Sequence, residues 1–169
     1  GDFFSVHGVR VDADSREVGK GGWDQPILTQ IGFDGGLLGI LRQRFGDIPH
    51  YLIEAKAEPG NYQRVQLSPT LQATFSNLKR AHEGRKPLFS EFFENPLKNS
   101  GEVLFDQWLS EDGGRFYLKR NRGMLVEVPE RTIVEIPAGF IWLSMWQIKE
   151  LLLENAWVNP HIRGIISHM

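Results

Sequence analysis

The sequence of 169 residues contains no cysteine. A disulfide framework, a catalytic thiolate and a cysteine-bound zinc ion are therefore excluded. The five histidines show no H-x-x-x-H or similar spacing, so the sequence predicts no metal site. The absence of cysteine is compatible with a reducing cytoplasm, which is where we expect the protein to work.

An excess of one charge sign is also lacking, because the formal net charge is −2. The basic surface of a nucleic-acid-binding protein is therefore not expected. No apolar run approaches the ~20 residues of a membrane-spanning helix, and the first residues lack the pattern of a signal peptide. We expect a domain that binds neither nucleic acid nor membrane. Because residue 1 is glycine rather than methionine, we also expect a trimmed N-terminus.

The length and the order of patterns predict one α+β domain, residues 1–169, with a mixed or antiparallel sheet packed against helices. Strands are predicted at 3–11, 23–31, 37–45, 50–58 and 124–128, a short returning run at 63–67, and a hairpin of 103–109 with 115–121. Helices are predicted from Ser68, at 87–93, at 140–154 and after Asn159-Pro160. The Gly-rich loop 12–22 is expected to be the most flexible internal segment.

The stretch from His50 to Asn77 has the most unusual pattern. In a strand, alternate side chains point to opposite faces. Tyr51, Ile53, Ala55 and Ala57 would then form a core face, opposite a face of His50, Leu52, Glu54, Lys56 and Glu58. The second face is either the wall of a functional cleft or a solvated ladder of salt bridges.

A turn and a helix are predicted to follow that strand. Pro59-Gly60 is typical of a type II turn. Ser68 is predicted as the N-cap of a helix that begins at Pro69, with Gln72 and Ser76 on its polar side. The N-terminus of such a helix would favour an anion.

Several blocks, in order along nearly the whole chain, resemble a known family. They are F-F-S-V-x-G-V-R-V, W-D-Q-P-I, G-L-L-G-I-L, E-A-K-A-E-P-G-N, Q-L-S-P-T-x-Q-A-T-x-S-N, S-E-x-G-x-R-F-Y-x-K-R-N-R, F-x-W-L-S-x-x-Q-I and W-V-N. Together they resemble the NDP-hexose 2,3-dehydratase family of deoxysugar biosynthesis. The resemblance implies a Nudix-like fold and a nucleotide-linked, in particular dTDP-linked, 4-keto-6-deoxyhexose as substrate.

Two departures accompany the resemblance. The family's usual enzyme has two tandem copies of this unit, so we expect that this single copy forms a homodimer or is one half of a pair. The terminal V-N-M-D-x-R block of the family appears here as Val158-Asn159-Pro160-His161-Ile162-Arg163. Substrate or reaction could differ accordingly.

The implied dehydration needs no redox cofactor, because the C4 carbonyl already acidifies the C3 proton. It needs a base at C3, donors to the charge on O4 and an acid for the departing C2 hydroxyl. Glu54 or Glu58 is the predicted base, Lys56 the donor to O4, and His50 the acid or relay. The alternatives are that His50 only caps a turn and that Glu58 only binds turn amides. Tyr117 and Glu111 are alternative acids.

A nucleoside diphosphate needs cations for its phosphates and a surface for its base. A run of polar residues at the end of the predicted hairpin could bind phosphate or could be a basic strand end in solvent. These residues are Lys119, Arg120, Asn121 and Arg122. Trp23 is predicted to stack on the base, whereas Trp142 is expected in the core. The remaining predicted contacts to substrate are Gln25, Ser68, Thr70, Gln72, Ser76, Asn77 and Glu111.

Two other functions compete with the dehydratase. A Nudix pyrophosphohydrolase needs a helix with several glutamates at fixed spacing to hold Mg²⁺, and no such cluster exists. A repurposed family member, either a non-catalytic nucleotide-sugar-binding subunit or an enzyme acting on another ketone of a natural-product pathway, is the alternative to the dehydratase.

Overall fold

The computed structural model of the chain describes residues 4–12, 21–30, 35–79 and 85–169. The strands in these ranges are β1 (Phe4–Val11), β2 (Trp23–Gln30), β3 (Gly36–Phe45), β4 (Ile48–Lys56), β5 (Gln66–Pro69), β6 (Leu71–Thr74), β7 (Glu102–Ser110), β8 (Arg120–Val128) and β9 (Phe140–Ser144). The helices are α1 (Phe75–Leu78), α2 (Ser90–Glu94), α3 (Met145–Leu151) and α4 (Pro160–Ile166), with a 3-10 turn at Pro96–Asn99. The predicted α+β class is confirmed.

A mixed seven-stranded sheet is built around β3. One edge of β3 pairs in parallel with β8, which in turn pairs with β7. Its other edge pairs antiparallel with β4 and then with β6. The first six residues of β3, 36–41, are all buried. This continuous apolar run is typical of a strand that is covered on both faces of its sheet.

The sheet divides where β3 and β4 separate, at the pair Leu41 and Leu52. Beyond this pair, β5 takes the free edge of β4 and β6 takes the free edge of β3. Thr70, between β5 and β6, lies at the branch point and is only 2% exposed. Its hydroxyl accepts a hydrogen bond from Leu41 N at 2.8 Å and donates one to Leu52 O. We call this branch point the fork.

Two apolar clusters cover the faces of the sheet. Phe93 of α2 packs on one face, so closely that a Cβ on Gly39 of β3 would lie 2.4 Å from its ring. On the other face lie Ile148 of α3 and Ile162 and Ile165 of α4. The sheet therefore separates two cores, one on each face. Helix α4 packs on the face that carries Leu38.

The ribbon of β1 and β2 is a separate two-stranded sheet. It contacts the segment 111–119, which connects β7 to β8, through backbone hydrogen bonds: Leu28 N donates to Arg115 O at 2.8 Å, and Tyr117 N donates to Leu28 O at 2.9 Å. These bonds explain why the prediction of a tight hairpin with 115–121 as its second strand is wrong. Residues 115–117 lie alongside β2, where Phe116 forms a parallel bridge with Leu28. The strand that pairs with β7 begins only at Arg120.

The predicted helix from Ser68 is also wrong. Ser68 and Pro69 end β5, and the chain continues as β6 before the short helix α1, whose N-cap is Thr74. The hydroxyl of Ser68 does not cap a helix, because it accepts a hydrogen bond from Asn159 Nδ2 at 2.9 Å. The helical spacing that the sequence shows after Ser68 also includes His82 and Glu83, which lie outside the described residues.

The predicted helix 140–154 is correct only in its middle. Residues 140–144 form β9, which pairs antiparallel with β4, and α3 begins at Met145. Ser144 is its N-cap in a capping box with Gln147, a signal that the sequence did contain. The side chains of β4 alternate as predicted, with Tyr51 and Ile53 in one cluster and Leu52 in the other. The prediction of a single core face is wrong, because Leu52 is buried and Ala55 and Ala57 are exposed.

Other local predictions are confirmed. Asn61 N donates to Glu58 O at 3.2 Å, and Gly60 has a φ of 92°, as a type II turn requires. Asn159 caps α4 through a hydrogen bond from Ile162 N to its Oδ1 at 3.0 Å. Most of the loop predicted to be flexible, residues 13–20, lies outside the described ranges. None of the helices in the described ranges is long and apolar enough to cross a membrane.

Candidate active site

A cavity of about 280 Å³ lies on the open side of the fork. We call it the fork cavity. It is lined by Gly36, Leu38, Lys56, Glu58, Gln72, Ala73, Thr74, Asn77, Glu111, Lys119, Asn121 and His161. Because β3 and β4 are no longer paired with each other here, side chains from the end of β4 and from β6 reach into the space that opens.

The end of β4 and the adjoining residues supply an ion pair to this cavity. Lys56 Nζ lies 3.7 Å from Glu58 Oε1. The Nε2 of Gln72, on β6, lies 3.0 Å and 3.3 Å from the two carboxylate oxygens of Glu58 and donates to them. The carboxylate is thus held between an ammonium group and an amide. The Oε1 of Gln72 is buried and accepts no hydrogen bond from the described residues.

A second carboxylate is oriented by β8. Asn121 is 6% exposed, and its Oδ1 accepts a hydrogen bond from Gly36 N at 2.8 Å. Its Nδ2 donates to Glu111 Oε1. A buried carboxamide with both ends bonded cannot rotate without losing a hydrogen bond. Glu111 is therefore held at the cavity wall.

Lys119 and His161 complete the ionisable groups. Lys119 Nζ lies 4.7 Å from the centroid of the Phe116 ring, a cation–π distance. His161 lies in the first turn of α4 and is half-buried. Burial lowers the pKa of His161, and the carboxylates of Glu111 and Glu58 oppose that effect.

Sequence reasoning did not include His161 among the site residues. The available signal was the Asn159-Pro160 start of a helix, which placed the histidine in the first helical turn. The pattern could not show which cavity that turn would face. The position of α4 depends on the hydrogen bond from Asn159 to Ser68, two residues that are 91 positions apart in the chain.

The fork cavity continues along the segment 111–119. A neighbouring cavity of about 390 Å³ shares Leu38, Glu111, Lys119, Asn121 and His161 with it. A third cavity, of about 540 Å³, shares Glu111 and Lys119 and extends to Trp108, Tyr117 and Arg120. The three spaces form a cleft. Its ionisable side chains are concentrated at one end, in the fork cavity.

Two of the predicted catalytic residues on β4 do not line the fork cavity. His50 precedes Lys56 by six residues, which is roughly 20 Å along a strand. Its Nδ1 donates to Ile48 O at 3.0 Å, and its ring lies 4.9 Å from that of Phe45. Glu54 lies nearer. Burial is the main cause that raises its pKa, while Lys56 lowers it and Glu58 raises it.

The predicted binding residues divide in the same way. Gln72 and Asn77 line the fork cavity, whereas Ser76 is 4% exposed and bonds the hydroxyl of Thr74 at 2.8 Å. Ser68 and Thr70 are buried and hold α4 and the fork. Tyr117 lines the third cavity and is 54% exposed.

The two predicted tryptophans lie away from the fork cavity. Trp23 Nε1 donates to Gln25 Oε1 at 2.5 Å, and Gln25 Nε2 donates to Gly114 O, so this pair fastens the ribbon to the segment 111–119. Trp142 packs against the core cluster that includes Leu52, which confirms its expected place in the core.

The two predicted arginines lie on strand β8, outside the fork cavity. The Arg120 guanidinium lies 4.5 Å from the centroid of the Trp108 ring. Arg122 donates to both carboxylate oxygens of Asp106, from Nε at 2.7 Å and from Nη2 at 2.5 Å. This hydrogen bonding lowers the pKa of Asp106 and raises that of Arg122. Of the predicted cations beyond β4, Lys119 is the one that faces the fork cavity.

Comparison with known proteins gives concordant matches. The sequence profile of a family described as NDP-hexose 2,3-dehydratase matches residues 1–169. A dTDP-4-dehydro-6-deoxy-alpha-D-glucopyranose 2,3-dehydratase of Saccharopolyspora spinosa is 41% identical over 167 residues, 99% of this chain and 33% of that protein. Proteins of the same name from Amycolatopsis orientalis and Streptomyces violaceoruber are 38% and 39% identical, over 99% of this chain and 35% and 36% of their own lengths. The chain thus spans about a third of the length of these relatives.

Proposed function

This chain belongs to the NDP-hexose 2,3-dehydratase family, and we propose that it acts in the removal of water across C2 and C3 of a dTDP-linked 4-keto-6-deoxyhexose. The observation that carries the proposal is the fork cavity itself. Two ammonium groups, of Lys56 and Lys119, and two carboxylates, of Glu58 and Glu111, face one space. Such a space suits a neutral sugar that acquires negative charge during its reaction.

The proposed reaction proceeds through an enolate. A base removes the C3 proton, and the electron pair moves toward O4. Lys56 supplies the positive charge next to O4, since a fixed donor at a developing oxyanion lowers the barrier more than it binds the ground state. Glu58 fixes the direction of the ammonium group, and Gln72 fixes Glu58.

The buried Oε1 of Gln72 supports a sugar in this cavity. It has no donor among the described residues. An unpaired buried acceptor costs free energy, and a sugar hydroxyl that donates to it would remove that cost. We propose that the sugar lies between Lys56 and Gln72 and that the diphosphate follows the cleft past Lys119.

The test is incubation of the protein with dTDP-4-dehydro-6-deoxy-α-D-glucopyranose in D₂O, followed by NMR. Loss of the C2 hydroxyl supports the dehydratase, together with deuterium at C3 of the recovered substrate or at C2 of the product, where the C2–C3 enol takes up a deuteron from the solvent. Deuterium without that loss indicates a different enolisation. If neither change occurs and the nucleotide sugar binds, the chain is a binding unit, and the proposed reaction is refuted.

Other expectations accompany this function as proposals. We propose that residues 1–169 form one dehydratase-like unit of the Nudix-like type, that two such units act together as a homodimer, and that they work in the cytoplasm. Light scattering that finds only monomer at working concentration would contradict the homodimer.

A further inference from the structure

His161 occupies the junction of the cleft, because it lines both the fork cavity and the neighbouring cavity of about 390 Å³. It comes from α4, whereas the other ionisable groups come from the end of β4 and from the segment 111–119. A ligand in the fork cavity is therefore bounded by Lys56 and Glu58 on one side and by this imidazole on another.

The backbone of His161 is held firmly. Its neighbour Ile162 is 1% exposed, and Ile162 N donates to the cap Asn159 at 3.0 Å. Arg163 donates to Val158 O from Nε at 3.0 Å and from Nη2 at 2.8 Å. A general base must reach its proton with little freedom to move, so a rigid backbone favours this role.

The imidazole of His161 has no structural hydrogen bond among the described residues. None of the hydrogen bonds among the described residues uses a ring nitrogen of His161. Glu58, in contrast, is bonded by Gln72 and faces Lys56, and Glu111 is bonded by Asn121. Among the described residues, each carboxylate of the fork cavity is thus hydrogen-bonded at one or both oxygens, whereas His161 keeps both ring nitrogens for a ligand.

Burial favours the neutral form of the His161 ring, against the effect of two nearby carboxylates. Burial lowers the pKa of His161 most, and the ammonium groups of Lys119 and Lys56 lower it further. The carboxylates of Glu111 and Glu58 act in the opposite direction. With a pKa below the ordinary value of ~6.5, the ring is an unprotonated base at neutral pH.

We propose that His161 is the catalytic base, which removes the C3 proton and, once protonated, returns it to the departing C2 hydroxyl. The inference rests on the proposed function. In the first step the C3–H bond breaks, the imidazole nitrogen gains the proton and the electron pair forms the C3–C4 enolate. In the second step the enolate reforms the C4 carbonyl, C2 and C3 gain a double bond, and the C2–O bond breaks as the imidazolium proton converts the leaving group to water.

The test compares four proteins in the C3 deuterium-exchange assay: wild type, His161→Asn, His161→Asp and Glu58→Gln. We expect His161→Asn to lose exchange by about 10²- to 10⁴-fold, the usual contribution of a positioned acid–base group. Wild-type exchange should fall as the pH is lowered through the pKa of His161. His161→Asp should recover part of the activity and retain it at lower pH, because a carboxylate stays ionised there.

A matched control is His168→Asn, an exposed histidine near the end of the same chain segment, which should exchange like wild type. Binding of dTDP, measured by calorimetry, should change less than about threefold in His161→Asn, since a folded variant with intact cations still binds phosphate. If His161→Asn neither binds dTDP nor exchanges, His161→Asp decides the question. Recovered exchange in His161→Asp supports His161 as the base. Intact dTDP binding without exchange in His161→Asp counts against it.

The possible failures are distinct. If the wild type neither incorporates deuterium nor removes the C2 hydroxyl, the proposed function is refuted and this inference falls with it. If the wild type exchanges and His161→Asn exchanges equally, only the inference is refuted. The base is then Glu58 if Glu58→Gln alone abolishes exchange.

Discussion

The two ends of β4 carry similar residues in the sequence but very different surroundings in the structure. At the His50 end, β4 pairs with β3 on one edge and with β9 on the other. At the Lys56 end, β3 has separated and β5 has replaced it. His50 is consequently packed against Phe45, whereas Lys56 faces a cavity.

The difference shows that an alternation of ionisable residues does not by itself define a site. What defines it is the point at which the partner strand leaves. Paired strands lie about 4.8 Å apart and leave no room for a ligand between them. When β4 and β3 diverge at Thr70, the side chains beyond the fork gain a space that those before it lack.

The strongest test of this comparison is the pair Lys56→Ala and His50→Gln. Removal of one preorganised donor to an oxyanion typically costs about 10²- to 10³-fold in rate. We expect that loss in C3 exchange for Lys56→Ala and no loss for His50→Gln. Equal losses in the two variants would show that the site is not confined to the open side of the fork.

A control for charge alone is Lys149→Ala, an exposed lysine on α3. It should exchange at the wild-type rate. If Lys56→Ala retains full exchange, the role of Lys56 at O4 is refuted, even when the wild type is a dehydratase.

The second test breaks the fork itself. Thr70→Val keeps the shape of the side chain but removes the hydroxyl that bonds Leu41 N and Leu52 O. We expect a loss of about 2–3 kcal/mol in the free energy of unfolding, because buried backbone groups are left without partners.

Urea denaturation measures this loss. Thr29→Val, on the ribbon strand β2, serves as the control and should change stability by less than about 0.5 kcal/mol. A Thr70→Val protein as stable as wild type would mean that the divergence of β3 and β4 does not depend on this hydroxyl.

The smallest effect is expected at Glu54, in β4 between its two ends. Burial raises the pKa of Glu54 in the folded chain, so the folded state holds this proton more readily than the unfolded state. Its contribution to stability is present at low pH and is lost as the pH rises through the raised pKa. Glu54→Gln cannot ionise.

The stability of Glu54→Gln relative to wild type should therefore increase between pH 4 and pH 7. Urea denaturation at both pH values provides the measurement. A relative stability that decreases over this range would mean that attraction to Lys56 outweighs burial at Glu54.

Features set by neighbouring residues could be predicted from the sequence. Pro59-Gly60 gave the correct turn, and Asn159-Pro160 gave the correct start of α4, because each signal acts within one turn of the chain. The E-A-K-A-E block placed Lys56 and Glu58 together, and they do share the fork cavity.

Features that depend on distant partners could not be predicted. Ser68-Pro69 carries a helix-start signal as strong as that of Asn159-Pro160, yet the Ser68 hydroxyl is taken by Asn159 and the segment is a strand. Residues 140–144 continue the helical spacing of α3, but the free edge of β4 makes them a strand. The position of His161 also depends on a distant partner, because the hydrogen bond from Asn159 to Ser68 holds α4 against β5.

The fork also has a consequence for how the size of the fork cavity can change. Residues 57–65 connect β4 to β5 at the open side, beyond the backbone groups that Thr70 fastens. Their length can vary without moving either core, since lengthening a surface loop costs little entropy. The length of this connection can therefore change while the two cores stay fixed. Insertions there would widen the fork cavity, whereas an insertion between Pro69 and Leu71 would shift the register of both β5 and β6.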